Sequence, residues 1–151
     1  MRSIKVSRRI PSAPAKVWAV LADFPNIATW NTGVAKSFAT SDSTGGVGAQ
    51  RHCDLAPFGE LEETVKEWDD TRRMVISIDS AKKLPIAHGE VTFVLSPTDD
   101  ATEVSINYAY KPKFGLLGQI IGYVALDGQL TKGFKGFLKD LDAASQRPRE
   151  C

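Results

Sequence analysis

TEVSINYAYKPKFGLLGQIIGYVALDGQLTKGFKGFLKDLDAAS, residues 102–145, changes its hydrophobic period midway. Up to Tyr110 the period is two. Val104, Ile106, Tyr108 and Tyr110 share one parity; Glu103, Ser105 and Asn107 share the other. Successive side chains on a strand point to opposite faces, so this is a strand with one buried face. After Pro112 the spacing becomes three and four. Leu117, Ile120, Ile121 and Val124, then Leu130, Phe134, Phe137, Leu138 and Leu141, form one stripe. Lys132, Lys135, Lys139, Asp140 and Asp142 mostly avoid it, which predicts an amphipathic helix over 114–146. Five glycines lie inside it: Gly118, Gly122, Gly128, Gly133 and Gly136. Each costs about 1 kcal/mol relative to alanine in a helix interior. Either the first half of the helix is irregular, or the glycines admit something close to its backbone.

Upstream of that junction the chain is punctuated like successive hairpins. Breaks fall at 43–46, 57–59, 69–71, 82–85 and 97–101. They separate segments at roughly 34–42, 49–55, 60–68, 73–80, 88–95 and 102–111. Residues 2–10 also alternate, with Ile4, Val6 and Ile10 on one side and Arg8 interrupting them. Ser12 is placed to cap a helix that starts at Ala13, with Pro14 in its first turn. Phe24-Pro25 ends that helix, and residues 25–30 form a second short one. The expected fold is α+β: seven antiparallel strands in a curved sheet, two short helices after the first strand, and a long C-terminal helix. Seven strands are wide for one helix to cover. The surplus apolar face must be filled by side chains, by curling or by a ligand.

The 151 residues fit one domain over 1–146, with 147–151 a polar tail. A net charge of +1 argues against a nucleic-acid partner. Two cysteines are too few for a disulfide framework, and no run approaches a membrane span or a signal peptide. A cytoplasmic protein, monomer or homodimer, without stable membrane insertion is expected.

Glu63 has the parity of Leu61 and Val65, which puts a carboxylate on an apolar face. Arg51, in the preceding strand, has the parity of Ala49, Cys53 and Leu55, so the two charges can pair in a dry place. The pair is a candidate polar anchor for a ligand; the alternative is an ion pair at the sheet's rim. Tyr108 and Tyr110 point inward by alternation, and a buried tyrosine needs a partner for its hydroxyl. Ile76 lies inward with Met74 and Ile78. Trp30, Phe58 and Phe114 lie where the expected fold would place the entrance to the space under the helix, or else are aromatics that pack loops, and Leu117 belongs to the helix stripe as a candidate ligand contact. Tyr123 and Asp127 are four apart on the long helix, and Asp127 is either solvated or aimed inward. Trp68 shares the parity of Glu62 and Thr64, which puts it on the outer face near a turn; His88 and Glu90 are opposite in parity to Val91 and Phe93 and face solvent unless sheet curl reverses them. Cys53 adjoins His52, but neighbours on a strand face opposite ways and cannot form a thiolate–imidazole pair. No catalytic residue is assigned. Two histidines without ligand spacing predict no metal, and nothing in the sequence calls for a cofactor. There is no nucleophile elbow, phosphate loop or dinucleotide fingerprint.

Several short stretches occur in a telling order. They are Ala13-Pro14-Ala15-Lys16-Val17-Trp18, Asp23-Phe24-Pro25 with Trp30, Gly48 to Arg51, Glu63-Thr64-Val65, Trp68 to Arg73, and Lys111 to Gly115. Together the chain resembles the START / pollen-allergen-like superfamily, in its polyketide cyclase/dehydrase and lipid transport branch, over about residues 2–145. The resemblance implies the helix-grip fold and a deep cavity between sheet and long helix. It implies a small hydrophobic partner such as a lipid, quinone or polyketide, bound or carried without a cofactor. It also admits a cyclase, aromatase or dehydratase in which Glu63, Tyr108 or Arg51 handles a proton, and a module that regulates a protein partner.

Overall fold

The computed structural model describes residues 2–83, 86–112 and 119–147, the side chains at 86, 87, 112 and 119–124 excepted. Strand β1 (Arg2–Ile10) leads into helix α1 (Pro14–Ala22) and a 3₁₀ segment (Phe24–Thr29). Six strands follow: β2 (Lys36–Ala39), β3 (Gln50–Asp54), β4 (Glu60–Asp69), β5 (Arg73–Lys82), β6 (Ile86–Thr98) and β7 (Ala101–Pro112). Helix α2 (Gln119–Gln146) comes last. The sheet order is β1-β7-β6-β5-β4-β3-β2, antiparallel throughout. The first strand therefore zips onto the last, with Ile4 opposite Tyr108 and Val6 opposite Ile106. This is the helix-grip fold, a curved sheet held against a long C-terminal helix.

Alternation explains most of the core. Ile76 and Ile78 of β5, Val91 and Phe93 of β6, and Val104, Ile106 and Tyr108 of β7 are all buried on the inner face. Helix α1 adds Val17, Trp18 and Leu21, and α2 adds Leu138 and Leu141. The turns are tighter than the sequence breaks suggest. Thr98 pairs with Ala101, so β6 and β7 are joined by Asp99-Asp100 alone. Asp100 has φ of 52°, a left-handed value that a short polar side chain tolerates in a two-residue hairpin.

Two expectations change. Trp68 is not on the outer face. The β4–β5 register slips between Val65 and Glu67, so Trp68 lies opposite Met74 and on the inner side. A β-bulge adds one residue and inverts the parity beyond it. Trp68 consequently packs edge-on against Trp18 of α1, with ring centroids 5.3 Å apart, and its Nε1 donates to Asp70. Nor does Ser12 cap α1, whose N-cap is Ala13 with no side-chain bond. The Ser12 hydroxyl donates to the carbonyl of Ser145 (3.4 Å), and its own carbonyl accepts from Thr102 Oγ1 (2.7 Å). One residue thus ties the start of α1 to the end of α2 and to β7. Arg8, the interruption in β1, donates through Nε to the buried Asp142 of α2 at 2.8 Å.

The covering layer is uneven. Helix α2 lies close on β1, β7 and α1, while the 3₁₀ segment covers β2 and β3. Between these two covers the inner face of the sheet is left open. Among the described residues no helix is long and apolar enough to cross a membrane.

Candidate functional site

The gap between the covers is a cavity of about 270 Å³. Its sheet side is apolar: Leu61, Ile76, Ile78, Val91 and Phe93. Its helix side is Leu130, Gly133, Phe134 and Phe137 of α2. Phe137 meets Phe93 at 5.4 Å and Trp30 at 5.1 Å between centroids, and Phe134 meets Tyr108 at 5.2 Å. These ring contacts bridge sheet and helix.

Into this apolar wall β3 and β4 place two charges. Arg51 and Glu63 are directly opposite in the β3–β4 register, and both are deeply buried, at 5 % and 6 % exposure. Arg51 Nε donates to Glu63 Oε1 at 3.0 Å, and Nη1 donates to the carbonyl of Phe24 at 2.9 Å. The guanidinium also lies over the Phe24 ring, 4.0 Å from its centroid. Cys53 Sγ donates to the same Glu63 oxygen at 3.2 Å. Oε1 is therefore well supplied with donors. Oε2 accepts no hydrogen bond among the described residues, although Glu63 lines the cavity. A carboxylate oxygen in that position is an acceptor available to a bound molecule.

Burial pushes the Cys53 thiol far above its ordinary range, and the negative charge of Glu63 adds to it against the opposing effect of Arg51. The thiol is a donor here and not a nucleophile. Burial likewise raises Tyr108, with the charge of Glu63 a second cause, so its hydroxyl stays protonated. That hydroxyl is sealed from water and has no hydrogen-bond partner among the described residues. The Tyr108 ring reaches over Gly89 of β6: a Cβ there would stand 2.7 Å from the ring and 2.8 Å from the hydroxyl.

The residues singled out in the sequence fall in different places. Arg51, Glu63, Ile76 and Tyr108 come together on the cavity wall. Trp30 borders a neighbouring void of about 10 Å³, shared with Arg51 and Asp23, and its Nε1 is buried without a partner among the described residues. Phe58, at the β3–β4 turn, is 72 % exposed and lies away from the cavity. Tyr110 and Asp127 bond to each other, and Arg2 joins them by an ion pair, so they clasp β7, β1 and α2 instead of lining the cavity. There the Arg2 hydrogen bond holds the Asp127 carboxyl below its ordinary value, against its own desolvation. Tyr110 is pushed up to about 12, first by burial and then by its bond to Asp127. Phe114, Leu117 and the side chain of Tyr123 lie outside the described residues. On the outer face, His52 sits against Glu60 and Glu62 and stacks on Phe38, while His88 and Glu90 are exposed.

Sequence reasoning missed several cavity residues: Cys53 as a donor to Glu63, Phe93, Gly133, Phe134, Phe137, and Asn31 and Gln129 at the polar margin. The phenylalanines read as ordinary core. A cavity wall and a packed core have the same periodicity, so the signals of open space were the glycines in α2 and a sheet wider than one helix covers.

A family model described as polyketide cyclase / dehydrase and lipid transport matches residues 1–146. The fold matches a structure from Thermus thermophilus at 17 % identity and TM-score 0.79, covering 95 % of this chain and 97 % of that one. A START superfamily protein from Mycobacterium smegmatis matches at 12 % identity and TM-score 0.79, with coverage of 95 % and 97 %. The Zhui aromatase/cyclase of Streptomyces sp. R1128 matches at 16 % identity and TM-score 0.76, covering 97 % and 94 %. At such identities the likeness is one of fold. A search of curated proteins finds no match.

Proposed function

We propose that this chain, which belongs to the polyketide cyclase / dehydrase and lipid transport family, binds a compact hydrophobic molecule in its sheet–helix cavity, as a carrier or sensor in the cytoplasm. The observation that carries this reading is the combination at the cavity wall. An apolar surface surrounds one buried ion pair, and one carboxylate oxygen of that pair is left without a partner among the described residues. Apolar burial supplies affinity, at roughly 25 cal/mol per Å² removed from water. The Arg51–Glu63 pair supplies orientation, because a ligand hydroxyl can donate to Glu63 Oε2 without breaking the pair. Native mass spectrometry of protein purified from its own host, followed by organic extraction, tests the reading. A stoichiometric apolar passenger is expected. A bare mass, together with no binding from a panel of small aromatic and acyl compounds, overturns it.

One observation favours an enzyme as the second reading. Glu63, with its free oxygen, and Tyr108 border the same cavity. In a cyclase or dehydratase the carboxylate would take a proton from a bound poly-carbonyl chain, with the chain held in place by the apolar walls. A Glu63→Gln variant that retains ligand but loses turnover supports this reading; equal turnover by the variant removes it. A protein-docking module is the weakest reading, since an open cavity is not what such a role requires.

A further inference from the structure

Two buried nitrogens are left over when the hydrogen bonds around Arg51 are counted. The guanidinium group has N–H donors on all three of its nitrogens. Arg51 places Nε on Glu63 and Nη1 on the Phe24 carbonyl, while Nη2 donates to nothing among the described residues. The other nitrogen is Trp30 Nε1. Trp30 closes the 3₁₀ segment, where its backbone N–H donates to the carbonyl of Ile27. The residue is nine-tenths buried, and its indole N–H meets no acceptor among the described residues. Arg51 and Trp30 line the same small void beside the cavity, together with Asp23, and the rest of its wall is apolar side chains. The centre of a water molecule can range over about 10 Å³ there, so one water fits. Asp23 brings acceptors. Its carbonyl takes the Asn26 backbone N–H and its carboxylate the Asn26 side chain, but each oxygen has a second lone pair. Phe137, edge-on to Trp30 at 5.1 Å, offers the indole N–H only the weak acceptor of a ring face.

We infer that this void is a binding site for one ordered water, which accepts from Trp30 Nε1 and from Arg51 and donates to Asp23. About three hydrogen bonds are the usual complement of a buried water. A void lined by apolar groups alone stays dry, whereas this one has both the room and the polar partners that a water needs. Buried donors without a protein partner are met in this way. The water gives a further partner to a guanidinium that also lines the larger cavity. It adds a tie between β3 and the end of the 3₁₀ segment, next to the one at Phe24. The site holds whether or not the larger cavity binds a ligand.

Nuclear magnetic resonance of the ¹⁵N-labelled protein tests this through its three tryptophans, Trp18, Trp30 and Trp68. The indole peak lost in Trp30→Phe is that of Trp30. Should that variant fail to fold, Trp18→Phe and Trp68→Phe assign the peak by elimination. Cross-peaks to water are read in the rotating frame, where direct contact and proton exchange have opposite signs. The Trp30 indole proton is expected to show a contact cross-peak to water and yet to exchange far more slowly than that of Trp68, which bonds to Asp70 at the surface. A high-resolution crystal structure gives a second reading: a water within about 3.2 Å of both Trp30 Nε1 and a guanidinium nitrogen of Arg51. A Trp30 indole proton without a water cross-peak, shifted upfield by the ring of Phe137, overturns the inference. So does a crystal structure in which no water bridges Trp30 and Arg51.

Discussion

Replacing Arg51 with methionine tests the centre of the site. The side chain is deeply buried and makes three interactions: the Nε bond to Glu63, the Nη1 bond to the Phe24 carbonyl, and the stack on the Phe24 ring. Methionine fills similar volume but leaves Glu63 as a buried charge whose remaining donor among the described residues is the weak Cys53 thiol. Breaking one side of a buried pair costs about 3–5 kcal/mol. Against a total stability of about 5–15 kcal/mol this is a large fraction. With a urea m-value of about 2 kcal/mol/M, a loss of about 4 kcal/mol lowers the midpoint by about 2 M. The Arg51→Met/Glu63→Leu double variant behaves differently, because no charge is left behind. Its remaining defects are the Phe24 carbonyl, a loss of about 1–3 kcal/mol, and the weak Cys53 thiol donor, which loses its acceptor. The double variant should therefore be more stable than either single variant, with a coupling of at least about 3 kcal/mol. Urea denaturation followed by circular dichroism at constant m-value measures the cycle. Single variants whose losses simply add in the double would refute the claim that the two charges depend on each other in a dry site.

Three further outcomes follow from other contacts. The Asp127 carboxyl sits below its ordinary 3.8 in the folded protein, so it contributes stability that is complete above that value and lost as pH falls through the folded value. Asp127→Asn should remove this part of the acid limb below the ordinary 3.8, read as the unfolding midpoint against pH; an unchanged limb contradicts the assigned clasp. In a Cys151→Ser background, Cys53 should resist a thiol reagent at pH 8 in the native state and react fully in urea, because it is buried and its thiol is held protonated. Rapid labelling of the folded protein would show that the cavity admits the reagent. Gly89→Ala should cost about 1–3 kcal/mol, since its Cβ would stand 2.7 Å from the Tyr108 ring and 3.0 Å from the Ala109 carbonyl, and that ring is already stacked on Tyr110 and against Phe134. Thermal unfolding measures this, and a neutral result would mean the ring can move.

The fold was legible where local pattern and global arrangement agree. Period-two runs gave the strands, the shift to three and four gave α2, and proline and glycine gave the turns. Legibility failed where one residue of register matters. Trp68 follows a bulge that no side chain announces, so counting parity from Glu62 put it on the wrong face. For the site, Arg51 and Glu63 were visible because charges at apolar parity on adjacent strands have few other places to go. Tyr110 was visible as an inward-pointing polar group and Asp127 as an acid either solvated or aimed inward, but whether they meet a ligand or each other depends on how α2 lies across β1 and β7, which the sequence does not state. The aromatic half of the cavity was hidden because the same stripe would pack a solid core.

Why the core is not solid follows from geometry. Six inter-strand steps of about 4.8 Å make the sheet about 29 Å across, whereas a helix with its side chains is about 10–12 Å wide. One helix covers two or three strands. Here α2 lies over β1 and β7 and reaches β6 through the Phe93–Phe137 contact, while the 3₁₀ segment and its Phe24 and Ile27 cover the far edge. The middle strands β4, β5 and β6 present Leu61, Ile76, Ile78 and Val91 to the space between. On α2 the space is lined by Leu130, Phe134 and Phe137, and Gly133 among them contributes no side chain to close it. Leaving apolar surface uncovered and putting glycine in a helix both lower stability. A buried ion pair with an unfilled acceptor adds no stability to offset this. Three unfavourable features that converge on one space are explained together by a ligand that fills it.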